Sequence, residues 1–147
     1  MQITYKGDYS LKAILFLSSH YNRDVVTINE LAQKLDIPVK FLEQVLLELK
    51  RGGFVDSKRG VRGGYFLVKH PKDIKIGDVV RFIDGPIEPI ACANQDRSYK
   101  GCKEIDHCVF RSIWTEVGKA TSKVVDNISF DDLRLRFDSR EKNNYCI

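Results

Sequence analysis

The sequence of 147 residues predicts a mainly α-helical fold with one small β-hairpin, which places the chain in the α+β class. Apolar residues recur at three- and four-residue steps over most of the chain, and this spacing indicates amphipathic helices. Residues 54–69 are the exception, because two short strand-like segments there flank a glycine-rich tip. The helical periodicity lasts longest between residues 108 and 128, which predicts one helix longer than the others.

Three helices are predicted before the hairpin. Residues 9–20 form the first, which is apolar on more than one face and is expected to be buried on several sides. Thr27 begins the second, because Thr27 and Glu30 match a capping box, in which each side chain bonds the other residue's backbone N–H. Pro38 begins the third, where its missing N–H is harmless, and the glycines at 52–53 end it. The predicted buried stripe of the third helix is Phe41, Leu42, Val45, Leu46 and Leu49.

The second and third helices have the arrangement of a helix-turn-helix, although another small helical bundle would give the same pattern. The hairpin that follows has predicted strands at 54–57 and 65–69, and its tip, KRGVRGG, is basic through Lys58, Arg59 and Arg62. Glycine lets a backbone approach a surface closely, and arginine suits phosphates or a narrow minor groove. A helix-turn-helix followed by such a hairpin is a winged helix, so the sequence favours binding to double-stranded DNA over an ordinary solvated turn.

A long helix at 108–128 is predicted to join two copies of the chain. A short helix at 74–84 and a polar loop precede it, and a last short helix is expected at 130–137. Its apolar stripe consists of Phe110, Ile113, Trp114, Val117, Thr121, Val124, Val125 and Ile128. So small a winged helix could not cover this stripe alone, which predicts a homodimer. Two symmetric copies would read two half-sites about one helical turn apart, which implies a palindromic operator.

The predicted organisation therefore has four parts. Residues 1–85 form a winged helix-turn-helix DNA-binding domain, and residues 86–108 form a cysteine-containing loop. Residues 109–137 contain the dimerisation helix and the short helix after it, and residues 138–147 form a flexible tail.

The stretch ACANQDRSYKGCKEIDHC, residues 91–108, contains Cys92, Cys102 and Cys108, three of the four cysteines. The N-terminus lacks the features of a signal peptide and no apolar run could span a bilayer, so a cytoplasmic protein without a membrane partner is expected. A structural disulfide is disfavoured in the reducing environment of the cytoplasm. The spacing alone leaves open an iron–sulfur cluster, a zinc site that includes His107, and redox thiols. Cys146 is interpreted as a free surface thiol.

An enzymatic function is not expected. No glycine-rich phosphate loop precedes a helix, and the three histidines, His20, His70 and His107, are scattered along the chain. The formal net charge of +4 is compatible with a nucleic-acid partner.

Three segments resemble the Rrf2 family of bacterial transcription regulators. SKRGVRGGYFLVKHPKDIKIGDVVRFIDGP (57–86) is similar to the wing and linker of that family. KGDYSLKAILFLS (6–18) and IPVKFLEQVLLELKRGGFV (37–55) are similar to its first helix and its recognition helix. The resemblance covers residues 1–128 and implies a repressor of the winged-helix type. It also implies base contacts by Lys40, Glu43 and Gln44, minor-groove insertion by Arg59, and phosphate contacts by Lys58 and Arg62.

The resemblance implies an iron–sulfur cluster that senses nitric oxide, redox state or the supply of iron and clusters. Many members bind the cluster with three cysteines in this loop, which assigns Cys92, Cys102 and Cys108 as ligands and leaves [4Fe–4S] or [2Fe–2S] open. Nine residues separate Cys92 from Cys102, where the commonest pattern in the family has five.

The fourth ligand is less well defined by the resemblance. Some members use a histidine where this chain has Arg111, and others use an aspartate at the start of the first helix of the partner, which corresponds to Asp8. Asp8 is preferred over His107, although Asp8 could equally be a helix N-cap. Some members lack a cluster, so the alternative function is a cluster-free regulator of the cysteine-metabolism type, controlled by a small molecule or a partner enzyme.

Overall fold

The computed structural model describes residues 1–94 and 99–144. Within these ranges the chain forms α1 (Tyr5–Ser18), α2 (Ile28–Leu35), α3 (Val39–Arg51), β1 (Val55–Lys58), β2 (Gly64–Leu67), α4 (Ile76–Ile83), α5 (Val109–Asn127) and α6 (Phe130–Asn144). Single 3-10 turns lie at Pro71–Asp73, Ala91–Ala93 and Ile105–His107. The predicted mainly α-helical fold with one hairpin is therefore confirmed.

We call residues 1–85 the head. Helices α1, α2 and α3 enclose its core. The buried face of α3 and its neighbours on α1 and α2 consist of Ala13, Ile14, Leu17, Leu31, Leu42, Val45, Leu46 and Leu49. The turn between α2 and α3 is tight because Asp36 adopts a left-handed conformation (φ 53°) and the N–H of Ile37 bonds the carbonyl of Ala32. The helix-turn-helix thus follows from one left-handed residue between two amphipathic helices.

Several predicted helix ends are shifted in the structure. Helix α1 begins at Tyr5 rather than at residue 9, because the Thr4 side chain accepts a hydrogen bond from the N–H of Gly7 and caps the helix there. The Thr27 hydroxyl accepts from the N–H of Glu30, as the capping-box pattern predicts for that half of the pair. Pro38 is the N-cap of α3, one residue before its first helical position.

The prediction that Phe41 belongs to the buried stripe of α3 is wrong. The side chain is 59% exposed, whereas the other four predicted members of the stripe are buried. Phe41 instead lines an apolar groove of about 440 Å³ together with Tyr5 and Tyr9 of α1. The ring therefore borders an open groove between the start of α3 and the start of α1 rather than the closed core.

The wing is an antiparallel pair in which Val55 lies opposite Leu67 and Lys58 lies opposite Gly64. A third segment joins it, because Val26, in the connection between α1 and α2, pairs with Tyr65 through two backbone hydrogen bonds of 3.0 and 2.7 Å. The predicted strand limits of 54–57 and 65–69 are each shifted by one or two residues.

Helix α5 is attached to the head at its C-terminal end. Arg81 on α4 donates to both carboxylate oxygens of Asp126, at 2.6 and 2.9 Å, and to the hydroxyl of Ser122 at 3.0 Å. The hydrogen bonds that Arg81 donates to the Asp126 carboxylate raise the pKa of Arg81 above its ordinary value, so the guanidinium remains charged. The N–H of Phe130 then bonds the carbonyl of Ile74 at 3.0 Å, which returns the chain to the head.

Helix α6 is longer than predicted. It begins at Phe130, as expected, but continues to Asn144 instead of ending at residue 137. Arg134 pairs with Asp131 at 2.9 Å and with Asp138 at 3.3 Å, and these i,i+3 and i,i+4 ion pairs favour the helix. The prediction for Cys146 concerns a residue outside the described ranges. None of the helices in the described ranges combines the length and the apolar composition that a membrane-spanning segment needs.

Phe130 is expected to be the main apolar anchor of α6, because its side chain is fully buried in the core of the head. Replacing Phe130 by Ala should lower the free energy of unfolding by about 3–5 kcal/mol, since it leaves a cavity where the ring was. Urea denaturation followed by circular dichroism measures this loss. Phe137→Ala, on the same helix but 48% exposed, is the matched control and should cost about 1 kcal/mol. Equal losses for the two variants would contradict the anchoring role.

Candidate nucleic-acid interface and cysteine loop

The exposed face of α3 carries the three predicted base-contacting side chains. Lys40, Glu43 and Gln44 are all exposed, and their three- and four-residue spacing places them on one face. The opposite face holds the buried Leu42, Val45, Leu46 and Leu49, so the amphipathic pattern of α3 directs these polar groups outward. Helix α3 therefore presents a donor, an acceptor and an amide that match the kinds of group on base edges.

The end of α3 is joined to the wing by side-chain contacts. Lys50 donates to the hydroxyl of Ser57 at 2.9 Å and pairs with Asp56 at 3.3 Å. The N–H of Ser57 bonds the Asp56 carboxylate, and this bond, together with Lys50, lowers the pKa of Asp56. Lys50 thus links the end of α3 to β1.

The tip of the wing presents Lys58, Arg59 and Arg62, all of them exposed. Gly60 has φ +110°, and the N–H of Gly63 bonds its carbonyl, which closes the turn. Gly63 has no room for a side chain, because a Cβ there would meet the backbone carbonyl of Gly60 at 2.9 Å. The glycines of the motif therefore make a narrow tip from which the basic side chains extend.

A groove of about 420 Å³ lies beside the wing tip, between the wing and the connection from α1 to α2. Lys58 and Arg62 line it on one side, and Arg23 and Asp24 line it on the other. Arg23 is exposed, and the sequence pattern does not connect it with the wing, because 34 residues separate it from Lys58. The backbone pairing of Val26 with Tyr65 brings these two segments together.

The three cysteines of the loop carry free thiols, with Cys92 and Cys108 half-buried and Cys102 exposed. Cys92 lies in the 3-10 turn Ala91–Ala93, and its carbonyl accepts a hydrogen bond of 2.9 Å from Nε of Arg111. Cys108 is the N-cap of α5 and makes no side-chain capping bond. Arg111 also lies 3.8 Å from Asp106, so one guanidinium contacts both ends of the loop.

Asp8 is not the N-cap of α1, since Thr4 holds that position. Asp8 lies in the first turn of α1, its side chain is 45% exposed, and it forms an ion pair with Lys12 at 2.5 Å. His107 is exposed at the end of the turn Ile105–His107. The N-cap alternative for Asp8 is therefore wrong, and its carboxylate faces solvent beside a lysine.

The residue types of the loop suit an iron–sulfur cluster, because cysteines that form no disulfide can supply the thiolates that usually hold such clusters. Their arrangement in a single chain is not a closed site, since no three His, Cys, Asp or Glu side chains within residues 1–94 and 99–144 are placed to hold a metal ion. Part of the loop, residues 95–98, lies outside the described ranges. Arg111, three residues after Cys108 in the chain, bonds the carbonyl of Cys92, whereas Asp8 pairs with Lys12 on α1.

Comparison with known proteins finds that the chain is similar to transcriptional regulators in both sequence and fold. Residues 3–135 match the family model Rrf2, described as an iron-dependent transcriptional regulator. An rrf2-like HTH-type transcriptional regulator of Rhodobacter capsulatus is 38% identical over 137 residues, which covers 89% of this chain and 91% of the relative.

Two solved structures are also similar. The global cysteine regulator CymR of Bacillus subtilis has a TM-score of 0.76 at 27% identity, covering 92% of this chain and 98% of CymR. IscR of T. potens has a TM-score of 0.71 at 28% identity, covering 90% of this chain and 85% of IscR. The family model matches most of the chain, and the winged-helix head followed by a long helix is consistent with that match. The protein belongs to the Rrf2 family of transcriptional regulators.

Proposed function

We propose that this chain is a homodimeric repressor that acts in the cytoplasm and binds a palindromic operator in double-stranded DNA. The observation that carries the proposal is the exposure of two adjoining recognition surfaces, the outer face of α3 and the basic tip of the wing. Lys50 and the short turn after α3 hold these two surfaces together. Membership of a family of transcriptional regulators supports the same role.

Helix α3 would enter the major groove, where sequence is read from base edges. Gln44 can bond adenine through both the oxygen and the NH2 of its side-chain amide, Glu43 can accept from cytosine, and Lys40 can donate to guanine or to a phosphate. The wing would lie over the adjacent minor groove with Arg59 inserted, because arginine is attracted to the negative potential of a narrow minor groove. Lys58 and Arg62 would contact phosphates on either side.

The dimer is supported by the unpartnered stripe of α5. Phe110 is 63% exposed, Ile113 50%, Trp114 38% and Val124 59%. Monomeric proteins rarely expose a continuous apolar surface of this kind, and a second copy of the same helix would bury it. Residues 109–137 would therefore provide the dimer contact, residues 1–85 the DNA contact, and residues 86–108 the sensor between them.

The sensor would be an iron–sulfur cluster with Cys92, Cys102 and Cys108 as ligands and Asp8 of the second subunit as the fourth, with His107 as the less favoured choice. When bound, such a cluster supplies iron that reacts with nitric oxide or oxygen. The chain's own residues would transmit the change, because Arg111 fixes the Cys92 segment on α5 and Arg81 fixes α5 on α4. Asp84 at the end of α4 then binds the N–H of Thr4 at 3.1 Å and its hydroxyl at 2.5 Å, which reaches the start of α1.

Selection of DNA from a random-sequence duplex library by the purified protein tests the proposed function. We expect the recovered sequences to contain an inverted repeat with half-sites about one helical turn apart, because a two-fold dimer presents two symmetric heads. Sedimentation should give twice the 16.9 kDa mass of one chain. Recovery of no common sequence would contradict the proposal.

The dimer contact is checked with Trp114→Glu, which places a charge in the proposed interface. This variant should sediment as a monomer and bind the selected operator more weakly, since it loses the linked second head. Glu116→Gln changes an exposed residue of the same helix and should remain dimeric. A Trp114→Glu protein that stays dimeric would place the interface elsewhere.

The sensor is tested by isolating the protein without oxygen and measuring iron, inorganic sulfide and visible absorption. We expect a brown protein that loses its colour when Cys92, Cys102 or Cys108 is changed to Ala, because each removes a thiolate ligand. Cys146→Ala is the matched control and should retain the colour. Colourless wild-type protein, with operator binding unaltered in all three variants, would instead favour control by a small molecule or a partner enzyme. Zinc without sulfide would indicate a zinc site.

The role of Asp8 is read from the spectrum of the same preparation. Asp8→Ala should alter the electron paramagnetic resonance or absorption spectrum, since it replaces an oxygen ligand. Lys12→Ala removes only the ion-pair partner of Asp8 and should leave the spectrum unchanged. An identical spectrum for Asp8→Ala and the wild type would exclude Asp8 as a ligand.

A further inference from the structure

The groove beside the wing gathers positive charge from two distant parts of the chain. Arg23, Lys58 and Arg62 line it, and Asp24 is the one acidic residue among the residues that line it. Within residues 1–94 and 99–144, none of these three cations forms an ion pair with a carboxylate. The groove therefore keeps an excess of positive charge at its surface.

The position of Arg23 relative to the wing is set by the backbone. Val26 and Tyr65 exchange both of their N–H to carbonyl hydrogen bonds, so the segment before α2 forms an isolated antiparallel bridge with β2. Gly64 permits this close approach, because a Cβ there would lie 2.6 Å from the carbonyl oxygen of Val26. These two bonds, together with the burial of the Val26 side chain in the core, hold the segment against the wing.

The turn before this segment directs Arg23 to the mouth of the groove. Asn22 adopts a left-handed conformation with φ 59°, and the N–H of Arg23 bonds the carbonyl of His20 at 3.0 Å. Lys58, on the other wall, lies 5.6 Å from the centre of the Phe66 ring, which restrains its stem. Cations from both walls thus face one space of about 420 Å³.

We infer that this groove binds a backbone phosphate of DNA and that Arg23 is a phosphate contact outside both α3 and the wing. The inference rests on the proposed DNA-binding function and adds a third contact region to it. A phosphate fits because a guanidinium offers paired donors to its oxygens and because three cations outweigh one carboxylate. A contact of this kind positions the head on the duplex and is independent of base sequence.

The test measures binding to a fluorescent duplex of random sequence over a series of salt concentrations, since phosphate contacts determine the salt dependence. Arg23→Ala should reduce the slope of log K against log salt by about one for each subunit on the duplex. Its affinity at moderate salt should be about fivefold weaker. Arg23→Lys keeps the charge and should keep most of the slope, and Asp24→Asn should bind more tightly than the wild type.

Two further variants separate the possible outcomes. Arg59→Ala, at the wing tip, is the positive control and should also weaken binding, while Arg140→Ala, an exposed arginine of α6, should not. Thermal melting by circular dichroism verifies that each variant is folded. An unchanged slope for Arg23→Ala beside a loss for Arg59→Ala would overturn the groove assignment and leave the proposed function intact. Absence of binding by the wild type would overturn both.

Discussion

Arg81 determines how α5 leaves the head, because its guanidinium binds Asp126 with two hydrogen bonds and Ser122 with a third. Both ion-pair partners are more than a third exposed, so the pair contributes little to stability by itself. Its effect is geometric, since two parallel bonds fix both distance and direction. Gly77 allows the approach, because a Cβ there would lie 2.6 Å from the same guanidinium.

The two ends of α5 and its apolar stripe make different contacts. The C-terminal end is held by Arg81 and by the buried Phe130, whereas the apolar stripe remains uncovered in the single chain. The N-terminal end holds the cysteine loop through the bond from Arg111 to the carbonyl of Cys92. One helix therefore contacts both the cysteine loop and the head, and it also carries the apolar stripe proposed as the contact with a second subunit.

Local patterns predicted most of the fold. The stripe of Leu42, Val45, Leu46 and Leu49 placed Lys40 and Gln44 on the outside of α3, because the helical period fixes which residues share a face. Phe41 was misassigned because periodicity marks an apolar face but cannot tell whether another element covers it. The start of α1 was missed because its cap depends on Thr4, which precedes the apolar pattern, and Thr4 is in turn held by Asp84 from eighty residues away.

The sequence by itself determined the order of the elements, the outward face of α3 and the basic, glycine-rich wing. These depend on residues close together in the chain, where backbone geometry alone relates one position to the next. Only the tertiary structure decided that Arg23 lies beside Lys58 and Arg62, that Arg111 contacts the Cys92 segment, and that Asp126 meets Arg81. Those neighbours are 19 to 45 residues apart, and hydrogen bonds between distant backbone and side-chain groups bring them together.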